Sequence, residues 1–266
     1  MDTPGFDDTE RSDADIAENI ISFLCAQYEL VIPLKGIICM HRITDNKVSG
    51  TAQRYLEIFR CLCGDNVLSN VILLTTMWSE LRDKAVGFKR ERELRKGFWK
   101  TMESKGSEIR SFDGSRAMAE GFVCRLMRKK NIVLSIQKEL MDEEKRLQET
   151  RVGRLIFPRL ERSIDETERK IGELKKVIWN PDGPPNIEER NRMERQMEGL
   201  RIQHQRQRVQ SEKLRERPGP RVASNIEREK KKQKWKDRVT LFASIFGLVL
   251  TTTINVILPL AGVNAI

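Results

Sequence analysis

The sequence is poor in cysteine, histidine and aromatic residues, and these shortages exclude several classes of protein. Its 266 residues include five cysteines, an odd number without a C-x-x-C pair, so neither a disulfide framework nor a zinc knuckle is expected. Cys61 and Cys63 have no histidine near them in the sequence, which favours packing over metal binding. Free thiols in this number fit a reducing compartment.

The first half of the chain has no excess of basic over acidic residues, and the end of the chain has no charged residues. Residues 1–127 contain 18 basic and 19 acidic side chains, residues 128–238 contain 31 and 20, and residues 239–266 contain neither. These compositions predict a first domain over 1–127, a charged helical arm over 128–238 and an apolar tail. Acidic residues are interleaved along the arm, aromatic residues make up 6% and no nucleic-acid-binding motif occurs. The net charge of +10 therefore does not predict a nucleic-acid partner.

Short apolar runs alternate with helical patterns in the first zone. The β-branched runs predict strands buried on both faces at Lys35–Met40 and Asn70–Thr75, with a further strand at Ser107–Phe112. Apolar residues at helical spacing predict helices over Asp15–Tyr28, Thr51–Leu62 and Arg90–Met102, and another that opens near Ser115. Alternation of this kind predicts the α/β class, with a parallel sheet covered by helices.

The second zone carries a heptad pattern. Ile164, Ile171 and Ile178 recur at seven residues, with Leu160, Thr167 and Leu174 between them, which predicts a coiled coil or a helical hairpin. The proline-rich stretch Trp179–Asn186 ends this helix. A second charged helix is expected over 187–214, with a thinner apolar stripe of Met193, Met197, Leu200 and Val209, and Arg217–Pro220 is another break.

The uncharged tail has the length of a membrane span. Residues 239–258 are 20 uncharged residues, and a helix of about 20 residues crosses the hydrocarbon layer of a bilayer. Seven basic residues and Trp235 lie among the eleven positions 228–238, which favours a C-terminal anchor with the rest of the chain on the cytosolic face of an intracellular membrane. The alternative is a helix buried against the first domain of a cytoplasmic protein. The acidic first residues do not form a signal peptide.

Four segments carry a family resemblance. They are Asp2-Thr3-Pro4-Gly5-Phe6-Asp7-Asp8-Thr9, the run from Gly36 to Asp45, Leu62-Cys63-Gly64-Asp65 and Leu74-Thr75-Thr76-Met77-Trp78. In this order they resemble the fungal G-domain proteins of the septin and avirulence-induced GTPase group, and 136–141 with 147–150 are similar to the segment that follows that domain. The resemblance covers about 2–155 and implies a P-loop NTPase fold that binds GTP or GDP with Mg²⁺, often in dimers or on membranes.

The resemblance also implies a set of site residues. Asp2 would hold Mg²⁺ through water, and Thr3 and Gly5 would belong to the switch loop at the γ-phosphate. Thr76, Met77, Trp78 and Ser79 would form the base-recognition segment, although Ser79 stands where the family has a carboxylate. Arg42 matches a basic residue that reaches a partner's nucleotide, and a simple surface arginine is the alternative. Trp78 and Trp99 are expected to pack in the core or at its rim.

One motif of the family is missing. No G-x-x-x-x-G-K-[ST] occurs in the sequence, so the phosphate-cradling loop, its lysine and its Mg²⁺-binding hydroxyl are not supplied by these residues. The expected fold is therefore a partial G domain with impaired nucleotide binding and hydrolysis. The alternative is a membrane-tethered coiled-coil scaffold that associates with itself through the G-domain face or the coiled coil and binds no nucleotide.

Overall fold

The computed structural model describes residues 13–45, 50–180, 183 and 185–232. Contacts divide the chain into two compact units, one of residues 19–144 and 218–266 and the other of residues 1–18 and 145–217. Helix α1 (Asp13–Glu29) contributes to both. The boundary between the units does not fall at 127/128, where the composition changes. Residues after Met127 still bond within the unit of residues 19–144 and 218–266, where Ile132 N–H donates to Leu34 O over 2.8 Å.

The larger unit contains the parallel sheet that the sequence predicts. Its strands are β1 (Ile37–Arg42), β2 (Val71–Thr76) and β3 (Glu108–Ser111), in the order β1-β2-β3. Ile37 pairs with Val71 and Ile72 pairs with Glu108, and both ladders are parallel. The α/β class is thus confirmed, with three strands and predominantly helical surroundings.

Helices follow the strands in the order that the periodicity predicts, with one shift of boundary. They are α2 (Gly50–Cys63), α3 (Lys84–Lys96), α4 (Lys100–Ser104) and α5 (Arg116–Met127). The single helix expected over 90–102 was wrong. Helix α3 begins six residues earlier because Asp83 caps it, accepting a hydrogen bond from Ala85 N at 2.8 Å. It ends before Gly97, which separates it from α4.

The two faces of the sheet are covered unequally. Right-handed crossovers between neighbouring strands put α2 and the α3–α4 pair on one face, where the ring of Trp99 lies edge-on to His41 with centroids 6.2 Å apart. On the other face, Leu126 of α5 packs on Ile72 and Leu74. Strand β2 is buried almost throughout, but Met40 of β1 is 62% exposed. The expectation that β1 is buried on both faces was therefore wrong, because α5 packs over β2.

The segment after α5 is tied to α1 by one buried side chain. Residues Ser135–Gln137 form a short helix α6 that continues as a π-helix over Lys138–Asp142. The Gln137 amide is fully buried; its Nε2 donates to Leu24 O at 2.7 Å and to Gln27 Oε1 at 2.6 Å. Helix α9 (Pro218–Lys232) belongs to the same unit, where Arg221 donates to Ser22 Oγ at 3.5 Å.

The smaller unit is a helical hairpin. Helices α7 (Arg151–Ile178) and α8 (Ile187–Arg215) confirm the two helices expected on either side of the proline-rich break. Buried residues of α7 include Leu160, Ile164, Thr167 and Ile178, as the heptads predict, and α8 buries Met197, Ser211 and Leu214. Val209 is 42% exposed, so its place in the apolar stripe was wrong. The inward-facing stripe runs instead, at spacings of three and four, through the half-buried His204 and Gln207 and the buried Ser211, whose polarity concealed it.

Two hydrogen bonds cross the hairpin near its polar part. Gln207 Nε2 donates to Ser163 Oγ at 2.8 Å and Ser211 Oγ to Glu161 Oε1 at 2.7 Å.

Among the described residues, no helix is long and apolar enough to span a bilayer. The predicted membrane segment, residues 239–258, lies outside the described part of the chain.

Candidate functional site

The carboxyl ends of all three strands meet at one edge of the sheet. Ile43 N–H donates to Thr76 O at 3.0 Å, and Phe112 N–H donates to Thr75 O at 2.8 Å. These bonds extend the parallel ladders one residue beyond β1 and β3, so the loops that follow begin side by side. In open α/β sheets this edge is where ligands bind.

Arg42 is the last residue of β1 and lies at this edge. Its side chain is 56% exposed, and its Nε lies 3.6 Å from Asp45 Oδ1. The loop that follows is held from α3, because Arg90 Nη1 donates to Ile43 O at 2.8 Å and to Thr44 O at 2.9 Å. An exposed ion pair of this kind contributes little to stability.

The segment Thr76–Ser79 follows β2 at the same edge. Met77 has φ 61° and ψ 31°, a left-handed conformation that is uncommon outside glycine. Trp78 is 9% exposed, and its Nε1 donates to Thr75 Oγ1 at 2.9 Å. The strained turn at Met77 directs Trp78 into the core and leaves Ser79 exposed. Trp78 and the fully buried Trp99 are therefore packing residues, as expected.

A carboxylate on α3 joins the ends of β2 and β3. Glu91 Oε1 accepts hydrogen bonds from Thr75 Oγ1 and from Ser111 Oγ, each at 3.3 Å. Neither Glu91 nor Arg90 was predicted as a site residue, because both lie inside a charged helix with no motif around them. Their positions beside the ends of the strands follow only once the first residue of α3 is known.

The loop after β3 completes the edge and was also missed as part of the site. Asp113 Oδ1 accepts a hydrogen bond from Ser115 N at 2.7 Å, and bonding to Ser115 holds the pKa of the Asp113 carboxyl below its ordinary value. Gly114 has φ 89°, which allows the sharp turn. Ser115 then caps α5 by accepting from Met118 N at 3.3 Å. The strand predicted at Ser107–Phe112 could have revealed this loop, because a loop that follows a strand of a parallel sheet begins at the ligand-binding edge.

The remaining site predictions concern the phosphate and the metal. Asp2, Thr3 and Gly5 lie outside the described residues. Within those described, no group of three or more histidine, cysteine, aspartate or glutamate side chains could hold a metal ion. Burial raises the pKa of the Cys39 thiol to about 12 and also raises that of Cys63. Both thiols are therefore neutral at physiological pH.

The fold and this edge together define an α/β protein with a polar loop cluster at the carboxyl ends of three parallel strands. This loop cluster consists of Arg42, Thr76–Ser79 and Asp113–Ser115. Comparison with protein-family models, with characterised proteins and with solved structures finds no match to the chain. The family resemblance therefore stays a prediction from the order of the sequence motifs.

Proposed function

We propose that this chain is a nucleotide-binding protein of the P-loop GTPase type, in which the loop cluster forms the base side of the site. The observation that carries the proposal is the convergence of Arg42, Thr76–Ser79 and Asp113–Ser115 at one edge of the sheet. Sequence motifs point to two of these three segments independently of where the fold places them. Their meeting at the ligand-binding edge of an α/β sheet is what a nucleotide site requires.

The phosphate side of the proposed site would depend on Asp2, Thr3 and Gly5. Asp2 would hold Mg²⁺ through water, and Gly5 would approach the γ-phosphate. The sequence contains no Walker-type loop, whose backbone amides and lysine supply the main phosphate interactions in this class. We therefore expect the chain alone to bind GTP and GDP weakly and to hydrolyse GTP poorly.

The base side of the proposed site would discriminate only weakly between guanine and adenine. An aspartate at position 79 would accept hydrogen bonds from both N–H groups at the guanine edge. The Ser79 hydroxyl can donate one hydrogen bond and can also accept hydrogen bonds. A hydroxyl can bond to either purine, so the preference for guanine over adenine that a buried acceptor pair produces is lost. We expect mant-GTP and mant-ATP to bind with affinities within about tenfold of each other.

Fluorescence titration with mant-GTP tests the proposal on two proteins. One is this chain, and the other is the chain extended by the in-frame sequence that precedes Met1 in the gene. If the extension supplies the missing loop, we expect at least about a hundredfold tighter binding, equivalent to roughly 2.7 kcal/mol. Absence of binding by both proteins would refute the proposal.

A matched pair of variants locates the site in the same titration. Ser79→Lys places a long cation at the loop cluster, whereas Ser104→Lys changes an exposed serine at the end of α4. We expect Ser79→Lys to weaken mant-GTP binding and Ser104→Lys to leave it unchanged. Equal effects of the two would show that the nucleotide binds elsewhere.

The hairpin favours a second candidate function, that of a membrane-tethered scaffold with residues 239–258 as the anchor. Ile202 and Val209 are 50% and 42% exposed on α8 and lie seven residues apart, hence on one face. Two apolar residues at heptad spacing outside the hairpin's own seam can pack against another hairpin.

Sedimentation of the chain with and without GTP tests the scaffold. We expect self-association that GTP does not alter and that the double variant Ile202→Lys/Val209→Lys reduces. A chain that stays monomeric at micromolar concentration would exclude this candidate.

A further inference from the structure

The seam between α7 and α8 is largely apolar on one helix and partly polar on the other. On α7, spacings of four and three residues connect Leu160, Ile164, Thr167, Ile171, Leu174 and Ile178. On α8 the same spacings connect His204, Gln207 and Ser211, of which Ser211 is buried and the other two are half-buried. Core positions of paired helices are normally apolar, so three polar residues in succession at these positions require a physical reason.

Two of these polar residues bond across the seam. Gln207 Nε2 donates to Ser163 Oγ at 2.8 Å, and Ser211 Oγ donates to Glu161 Oε1 at 2.7 Å. The bonded residues are 44 and 50 positions apart in the chain. Both hydrogen bonds therefore depend on how the two helices are aligned along their length.

The polar residues also leave two buried atoms without a hydrogen bond. Within the part of the chain that the structure describes, Gln207 Oε1 and His204 Nε2 are buried and have no hydrogen-bond partner. Glu168 Oε2 lies 4.0 Å from His204 Nε2, which is too far for a hydrogen bond. An unpartnered buried polar atom destabilises the folded state, so leucine at positions 204 and 207 would make the seam more stable. Stability therefore does not explain these two polar residues.

The apolar stripe of α7 does not fix the alignment of the hairpin. Isoleucine recurs in it at positions 164, 171 and 178, so a slip of seven residues presents a similar apolar surface to α8. Such a slip moves one helix by about 10.5 Å, and the eight residues 179–186 between the helices can extend to about 26 Å. Gln207 would then lie opposite Lys170 or Ile156 instead of Ser163. Neither of those side chains can accept a hydrogen bond from the Gln207 amide.

We propose that the polar seam, defined as His204, Gln207 and Ser211 of α8, selects the alignment in which α7 pairs with α8 of its own chain. In this alignment the Gln207 amide bonds to Ser163. In a slipped hairpin, or in a pair with a second copy in another register, the same amide is buried without that acceptor. Fixing the register of paired helices at a cost in stability is the best-attested role of buried polar residues. The inference does not depend on the proposed nucleotide site.

Amide hydrogen exchange of the full chain tests the proposal with the double variant His204→Leu/Gln207→Leu. Removal of both unpartnered atoms should slow the exchange of α7 amides by about tenfold or more, whereas exchange at Leu147 should become faster. Leu147 N–H donates to Glu216 O, directly after α8, at 3.3 Å, so the protection of this amide reports the observed alignment. Gln203→Leu is the matched control, because Gln203 is exposed on the same helix, and it should change neither rate.

A second pair of variants tests the hydrogen bond itself. Ser163→Ala removes the acceptor of the Gln207 amide, whereas Ser163→Thr keeps a hydroxyl at the same position. We expect Ser163→Ala to raise the exchange rate of α7 amides by about fivefold and Ser163→Thr to retain the wild-type rate.

Sedimentation of the leucine double variant gives a third measurement. We expect larger species than in the wild-type chain, because an apolar α8 accepts α7 of a second copy in more than one register.

Three results would overturn the proposal. The first is a leucine double variant that sediments like the wild-type chain with unchanged exchange at Leu147, which would show that the polar seam selects no alignment. The second is faster exchange of α7 amides in that variant, which would show that the polar residues stabilise the seam. The third is equal exchange in Ser163→Ala and Ser163→Thr, which would exclude the bond to Gln207 as the determinant of the alignment.

Discussion

Replacing Trp78 by alanine is expected to lower the free energy of unfolding by about 3–5 kcal/mol, the range for truncating a large buried aromatic side chain. The indole is 9% exposed, donates to Thr75 Oγ1 at 2.9 Å and lies against Phe88 with ring centroids 5.3 Å apart. Its loss also removes the buried group that follows the left-handed residue Met77, so the exposed loop should become mobile. Urea denaturation followed by circular dichroism measures the change.

Two further variants separate the causes of that loss. Trp78→Phe keeps a ring in the core but removes the bond to Thr75, and we expect a cost of about 1 kcal/mol or more from the unfilled volume and the lost hydrogen bond. Phe88→Ala truncates the other ring of the contact, which is 55% exposed, and its cost should be smaller than that of Trp78→Ala. If Trp78→Ala unfolds at the wild-type urea concentration, Trp78 is not the anchor of the loop.

Replacing Gly153 by alanine is expected to be the most damaging small substitution in the hairpin. A Cβ at this position would lie 1.9 Å from Leu147 O and 2.6 Å from Gln148 Cα. Both are backbone atoms of the turn before α7, where Thr150 Oγ1 accepts from Gly153 N at 3.0 Å and donates to Leu147 O at 2.7 Å. A methyl group therefore forces the cap and the turn apart, and we expect a loss of roughly 3 kcal/mol.

Gly172→Ala in the same helix is the matched control. Nothing lies within 4 Å of its Cβ position, and alanine is favoured over glycine inside a helix by about 1 kcal/mol. The same chemical change should thus stabilise the hairpin at position 172 and destabilise it at position 153. Thermal unfolding of the two variants gives the comparison, and shifts of the same sign would contradict the geometry of the α7 N-terminus.

Much of the fold could be predicted from the sequence because it depends on local periodicity. The strands at 37–42 and 71–76 lie within two residues of the predicted runs, and α7 and α8 lie on either side of the predicted proline-rich break. The boundary of α3 could not be obtained in this way, because the capping role of Asp83 leaves no apolar pattern. The seam of α8 was misjudged at Val209 because the half-buried polar residues His204 and Gln207 do not mark an inward-facing position by their chemistry.

The candidate site was predictable only in part. Motifs selected Arg42 and Thr76–Ser79, which the fold brings to one edge, whereas Arg90, Glu91 and Asp113 carry no motif. Arg90 is 47 residues from the carbonyl that it holds, and such a pairing depends on how α3 crosses the sheet. The roles of Asp2, Thr3 and Gly5 remain predictions from the family resemblance.

The sequence by itself determined the periods, the breaks and the separation of charge. A balanced first half, a basic arm and an uncharged tail follow from residue counts alone. The spacing and length of the apolar runs, with the turn residues that bound them, distinguish strand from helix. Tertiary structure alone decided which residues are neighbours and which are left uncovered: Glu91 lies beside Thr75 and Ser111, Gln137 lies beside Leu24, and Met40 is 62% exposed. The physical reason is that local periodicity determines the face on which a side chain lies, whereas long-range packing determines what covers that face.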